Sequence, residues 1–256
     1  NLVIQFIEPN VVNRIQVEFN NDLWSITGPG TPILLTNGQT APFKPVLAGI
    51  WYRFRVLFTS IASGARLYTE TESGTATCEM QLLAKDGVYL GTAPRLITNA
   101  YLTAAARADV MVRCLGTGTV NVNANVITNV ADQGTYVAVA LAVSGPQAPS
   151  ADLVPFSVYR PCYLVDTRPA TPATSLQISL GGGNPNTVIN GELYSGPENV
   201  LNPTDPFTTG TLGEVLIVQG TFVHSLHIHV NHFQFSTISA VVDEVYFQEG
   251  DWHDTF

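Results

Sequence analysis

The sequence predicts an all-β, turn-rich globular protein, and three observations carry that prediction. The chain of 256 residues is 45% hydrophobic but only 12% charged, enough apolar material for a sizeable core and for two domains. Its 21 glycines and 16 prolines punctuate it often enough to demand many tight turns. Between the turns lie short β-branched and aromatic runs, and no stretch sustains a helical period.

Charge and cysteine usage narrow the function classes. A net charge of −9 and a pI near 4.8 argue against nucleic acid or an anionic membrane as partner. No apolar run is long enough to span a bilayer. Few Lys and Arg beside many Thr, Asn and Gly give the composition expected of a secreted or periplasmic protein. Cys78, Cys114 and Cys162 are too few for a disulfide framework; they allow one bridge and leave one thiol over. Cys78 reads as a small buried hydrophobe, and no cysteine stands in a C-x-x-C motif. The chain begins at Asn1 without methionine, which fits either a processed start or a piece of a longer protein.

Taken in order, residues 3–7 and 14–19 are expected strands, and residues 36–39 (TNGQ) a turn. Residues 50–58 alternate cleanly: Ile50, Tyr52, Phe54, Val56 and Phe58 on a core face, Arg53 and Arg55 on the other. Residues 78–84 and 88–90 form strands around a Lys85-Asp86-Gly87 hairpin turn, with Cys78, Met80, Leu82 and Ala84 on one face. Strands at 96–102, 109–114 and 119–127 follow, the last with Val/Asn alternation. Residues 136–143 read as a strand buried on both faces, and residues 102–108 carry a weak helical signal.

Residues 144–155 are Pro/Ser-rich and make the linker, and 158–164 lead into the next unit. Strands at 176–180, 187–189 and 214–218 are broken by a glycine-rich turn at 181–186 and a polar loop at 199–210. The triple glycine is no phosphate loop, because no Lys-Ser/Thr follows.

Residues 223–234 read VHSLHIHVNHFQ and hold four of the five histidines; the fifth, His253, is close behind. The stretch is β-branched and aromatic, so it reads as a strand, whose successive side chains point to opposite faces. His227 and His229 then share a face, while His224 and His232 point the other way. Neutral imidazoles so placed suit copper, zinc, iron or nickel, with one site on each face.

His224-Ser225-Leu226-His227-Ile228-His229 resembles the His-Pro-x-His-x-His strand of multicopper oxidases (laccases and relatives), with Ser225 in place of proline. The resemblance extends to Asn37-Gly38-Gln39, Gly49 with Arg53 and Arg55, Ala84-Lys85-Asp86-Gly87, Arg107-Ala108-Asp109-Val110, and Trp252-His253-Asp254-Thr255. It departs from the pattern at Ala48 and at residues 104–106, where the family carries proline and Pro-Gly.

The resemblance implies cupredoxin-like Greek-key β-sandwich domains, one nearly complete and one truncated. Residues 1–145 would be the middle domain, 146–175 a linker and lead-in, and 176–256 part of the last domain. It implies copper as cofactor, with His224 on the mononuclear blue copper and His227 and His229 on the trinuclear cluster. It implies no role for His232 or His253, which read as ordinary polar residues. The middle-domain motifs are scaffold: arginines that pair across strands and turns that hold register.

The implied activity is a laccase-like oxidation of a small phenol-type reducing substrate, one electron at a time, coupled to reduction of oxygen to water. The family's His-Cys-His segment and its first-domain His-x-His pairs are not in these 256 residues. The expectation is therefore a fragment, cleavage product or naturally split part, inactive alone and completed by missing segments or a partner chain.

Two other classes compete. A non-catalytic cupredoxin-like module would keep the fold and use the histidines weakly or not at all. A binuclear zinc hydrolase would read residues 227–232 as His-x-His-x-Asp-His, but Asn231 replaces the aspartate and its αββα fold needs helices.

Overall fold

The structure is a computed structural model that describes residues 1–7, 32–60, 63–128, 132–149, 151–155, 164–183, 186–192, 208–219, 225–229, 231–239 and 243–256. The expected strand at 14–19, His224, Cys162, and most of the 158–164 lead-in and 199–210 loop lie outside the described residues.

The strands run β1 (Leu2–Ile7), β2 (Ile33–Thr36), β3 (Phe43–Leu47), β4 (Trp51–Thr59), β5 (Ser63–Gly74) and β6 (Thr77–Lys85). They continue as β7 (Val88–Tyr89), β8 (Arg95–Ile97), β9 (Ala100–Leu102), β10 (Arg107–Leu115), β11 (Gly118–Thr128) and β12 (Asp132–Ser144). After the Pro/Ser-rich stretch come β13 (Thr174–Gly183), β14 (Asn186–Ile189), β15 (Gly213–Gln219), β16 (Phe233–Gln234) and β17 (Trp252–His253). No helix occurs among the described residues, so the weak helical signal at 102–108 is overturned. Ala105 takes φ +68° in a tight turn between β9 and β10, which a helix does not allow.

Two sheets face each other across one core. The first has the order β2-β1-β4-β10-β6-β7, with β8 also on β6; the second runs β3-β12-β11-β5-β9. The chain crosses between them repeatedly, as a Greek-key sandwich requires. Residues 96–102, expected as one strand, make such a crossing: β8 joins the first sheet and β9 the second.

The expected alternation holds within β4, but Ile50, expected on the same core face, precedes the strand and is 39% exposed. Val56 and Phe58 are buried while Arg53 and Arg55 are exposed and pair with Asp109 on β10. Ile4 of β1 sits opposite Phe58, and both are wholly buried. Full burial of each such side chain contributes about 1.5–3 kcal/mol.

On β11, Val120, Val122 and Val126 point into the core. Asn121 and Asn123 face outward but lie under Glu72 and Glu70, donating to their carboxylates at 2.6 and 2.7 Å. β12 was expected to be buried on both faces. Val139, Leu141 and Val143 are buried, but Ala140 and Ala142 opposite are only half-buried, because that face is an outer face of the sandwich.

β6 departs from the sequence expectation at both ends. Cys78 is not a lone buried hydrophobe: it lies opposite Cys114 of β10 and is disulfide-bonded to it. Nor does Ala84 continue the Cys78–Met80–Leu82 row. A register shift leaves Leu82 opposite Val110 but Ala84 opposite Asp109, with Leu83 as the extra residue. The shift places Lys85 opposite Ala108, on the β10 row that carries Ala108, Val110 and Val112 inward. The Asp86-Gly87 turn then follows with φ +48° and +84°, the two positive values of a type I′ hairpin.

Beyond the sandwich, β13 pairs in parallel with β15 and antiparallel with β14. The expected glycine-rich turn is shorter than predicted, because residues 181–183 are still strand and pair with β14. The short β16–β17 pair carries the C-terminal segment, whose Tyr246 joins the main core.

Candidate metal centre

The histidine stretch lies against the C-terminal segment. The Leu226 N–H donates to the Phe256 carbonyl at 2.8 Å, and the Phe256 N–H returns a bond to Leu226 at 2.9 Å. The Ile228 N–H donates to the Asp254 carbonyl at 3.2 Å. These bonds make a bridge between His227 and Thr255 rather than the long strand expected over 223–234. Among the described residues, that stretch is regular strand only at β16.

His227 and His229 are both exposed, and their ring centres stand 4.8 Å apart at 64°. That closeness agrees with the shared face expected from their spacing. The tautomer of His227 follows from its partners. Its Nδ1 lies 2.8 Å from the Asp254 carbonyl, which only accepts, so Nδ1 carries the proton. The Thr255 hydroxyl, 3.1 Å away, accepts as well, since its own hydrogen goes to the Asp254 carboxylate at 2.8 Å. Nε2 is left with the lone pair, the form in which a histidine ligates a metal.

His232 turns elsewhere. Its Nε2 is 3.3 Å from the Asp86 carbonyl and 3.8 Å from the Asp254 carboxylate. His253 is buried, packed on Phe235 at 4.5 Å and stacked on Phe233 at 6.1 Å. Burial pushes its imidazole below its usual range, against the opposing pull of the Asp86 carboxylate.

The segment is anchored to the sandwich through Asp86, Arg107, Lys85 and Arg95. The buried Asp86 carboxylate accepts the backbone N–H groups of Asp254 at 3.3 Å, Thr255 at 3.2 Å and Arg107 at 3.0 Å. Arg107 pairs with the Asp254 carboxylate. Next to it, Lys85 donates to the Tyr246 carbonyl and the Asp251 carboxylate, and Arg95 grips Asp251 through two bonds of 2.8 and 2.9 Å.

Burial pushes the Lys85 ammonium down to about 8, though Asp251 pulls it up. For Asp251, burial alone would raise the carboxyl, but hydrogen bonds from Arg95 and the Lys85 charge hold it below the usual carboxylate range. No local signal in the sequence marks Lys85, Asp86, Arg95 and Asp251 as anchors, because their partners lie some 150–170 positions away (156, 166 and 169 for three of the bonds).

His227 and His229 come together; His224 lies outside the described residues, and no group of three His, Cys, Asp or Glu able to hold a metal occurs among them. The chemistry of the pair fits copper as part of a donor set, since two exposed imidazoles stand side by side and a backbone carbonyl holds the proton of one on Nδ1, leaving its Nε2 lone pair.

No protein-family profile matches the sequence, and no curated protein sequence matches it. Solved structures do. McoA multicopper oxidase from the hyperthermophile Aquifex aeolicus superposes on all of this chain with a TM-score of 0.65 at 18% identity, over 55% of its own length. Fet3p, a multicopper oxidase that functions in iron import, gives 0.64 at 13%, over 58% of its length. The laccase-like multicopper oxidase CueO from Ochrobactrum sp. gives 0.62 at 14%, over 56%. The chain spans about half the length of these copper enzymes, and at such identities the likeness is one of fold. The molecule is an all-β protein that resembles the cupredoxin-like domains of multicopper oxidases.

Proposed function

We propose that this chain is part of a laccase-like multicopper oxidase, with residues 1–145 as a middle domain and 176–256 as part of a copper-ligating last domain. The observation that carries the reading is the His227–His229 pair, with rings 4.8 Å apart on a fold shared with copper enzymes along the whole chain. His227 binds through Nε2, and His229 ligates beside it. His224 takes the mononuclear blue site. When bound, copper supplies one-electron redox chemistry, joining oxidation of a small phenol-type substrate to reduction of oxygen to water.

The chain's own part is to orient and hold these ligands. Asp254 and Thr255 fix the His227 ring, and Asp86, Lys85 and Arg95 hold the segment that bears them. The remaining ligands come from missing segments or a partner chain. The apolar side chains of Leu216 (59% exposed) and Val218 (40%), two apart on β15, support a covering partner there. The Cys78–Cys114 disulfide supports a secreted or periplasmic location.

One alternative is a non-catalytic cupredoxin-like module, which the shared fold fits equally well. Elemental analysis of copper per chain in the native preparation, with a visible spectrum, separates the two. Copper with an intense blue band means that a thiolate completes the site and supports the oxidase reading. No copper and no blue band supports the module.

A further inference from the structure

We infer that Asp86 is a positioning residue for His227, acting through a single peptide group. The inference rests on the copper reading for the identity of the metal, but its geometry stands apart from it.

The peptide that joins Asp254 to Thr255 contributes both its polar groups. Its N–H donates to the Asp86 Oδ2 at 3.2 Å, and its C=O accepts the Nδ1–H of His227 at 2.8 Å. In a trans peptide these two groups point in opposite directions, so the plane is gripped from both sides. A carboxylate on the N–H side polarises the amide and makes its carbonyl a stronger acceptor, since hydrogen bonds in a chain strengthen one another. The imidazole is thereby held in the Nδ1–H tautomer and its Nε2 made a better donor to a metal. A carboxylate often performs this service for a ligating histidine directly; here a peptide stands between them.

The device is built in. Asp86 occupies a hairpin turn at φ +48°, and its side chain is 2% exposed. Its Oδ1 is engaged by the Arg107 N–H at 3.0 Å, which leaves Oδ2 facing the N–H groups of Asp254 and Thr255. The Arg107 guanidinium lies 3.6 Å from the same carboxylate and pairs with Asp254, so the cluster's two negative charges have a cation between them.

The test reads the tautomer of His227 without metal, from the imidazole 15N shifts of the labelled chain, and then Cu(II) affinity against a competing chelator. The wild type should show His227 as the Nδ1–H form. Asp86→Ala should shift His227 toward the other tautomer and weaken Cu(II) binding about tenfold or more. Asp86→Asn keeps an oxygen for the two N–H groups and should retain the tautomer with a smaller loss of affinity.

Asp109→Ala, which removes the partner of Arg53 and Arg55 in the same sheet, controls for general loosening and should leave His227 unchanged. Should Asp86→Ala fail to fold, Thr255→Val decides: it removes the hydroxyl but keeps the peptide, so the tautomer should persist. A folded Asp86→Ala with an unchanged tautomer, a Thr255→Val that loses it, or an Asp109→Ala that shifts it equally overturns the inference. A wild type that shows the tautomer and its loss in Asp86→Ala, yet binds no Cu(II), supports the hold on His227 and overturns the copper reading instead.

Discussion

The Lys85 ammonium donates to the Asp251 carboxylate at 3.1 Å, and the two side chains are only 2% and 3% exposed. This pair ties β6 to the segment that holds the histidines, across 166 positions of sequence. Its existence depends on the bulge at Leu83, which turns Lys85 inward.

Asp251→Ala strands two cations, Lys85 and Arg95, one of them buried. Removing one partner of such a pair costs about 3–5 kcal/mol. Lys85→Met should cost less, because Arg95 still holds Asp251 through two bonds. Urea unfolding of the three proteins checks the order, and equal midpoints for wild type and Asp251→Ala would sink the anchor.

Burial holds the His253 imidazole below its ordinary range near 6.5, so the unfolded chain takes up a proton there before the folded one does. Stability from this group is complete above about pH 6.5 and falls as the pH drops below it. His253→Phe, placed among Phe233, Phe235 and Phe247, should flatten that slope. Thermal unfolding across this pH range reads it directly; the same slope in both proteins would contradict the assignment.

The disulfide joins residues 36 positions apart, and loop-closure entropy for such a span is worth about 3–4 kcal/mol. Cys114→Ala should lose roughly that much. With three cysteines and one bridge, the denatured but unreduced chain should titrate one thiol. Three thiols would mean the bridge is not formed in solution.

Much of the sandwich was legible because it rests on period-two alternation. β4 shows it at Tyr52 to Phe58, and β10 alternates without a break from Arg107 to Leu115. The contact between the His227 and His229 rings accords with their two-residue spacing, although the stretch is not the regular strand expected. What was not legible depends on register between distant strands. Cys78 meets Cys114 only because β6 and β10 pair at those positions. The inward turn of Lys85 needs a bulge, which leaves no mark in the alternation of one strand. The role of Asp86 needs the C-terminal segment folded over it, so a turn motif by itself pointed only to a turn.

Ligation of copper by His227 and His229 is the step of the proposed function on which the rest depends. Cu(II) bound per chain at equilibrium dialysis, measured for the wild type, His227→Ala and His229→Ala, tests it most directly. The wild type should bind Cu(II), and each variant should show a clear loss. The same Cu(II) content in all three proteins, or none in the wild type, would contradict it.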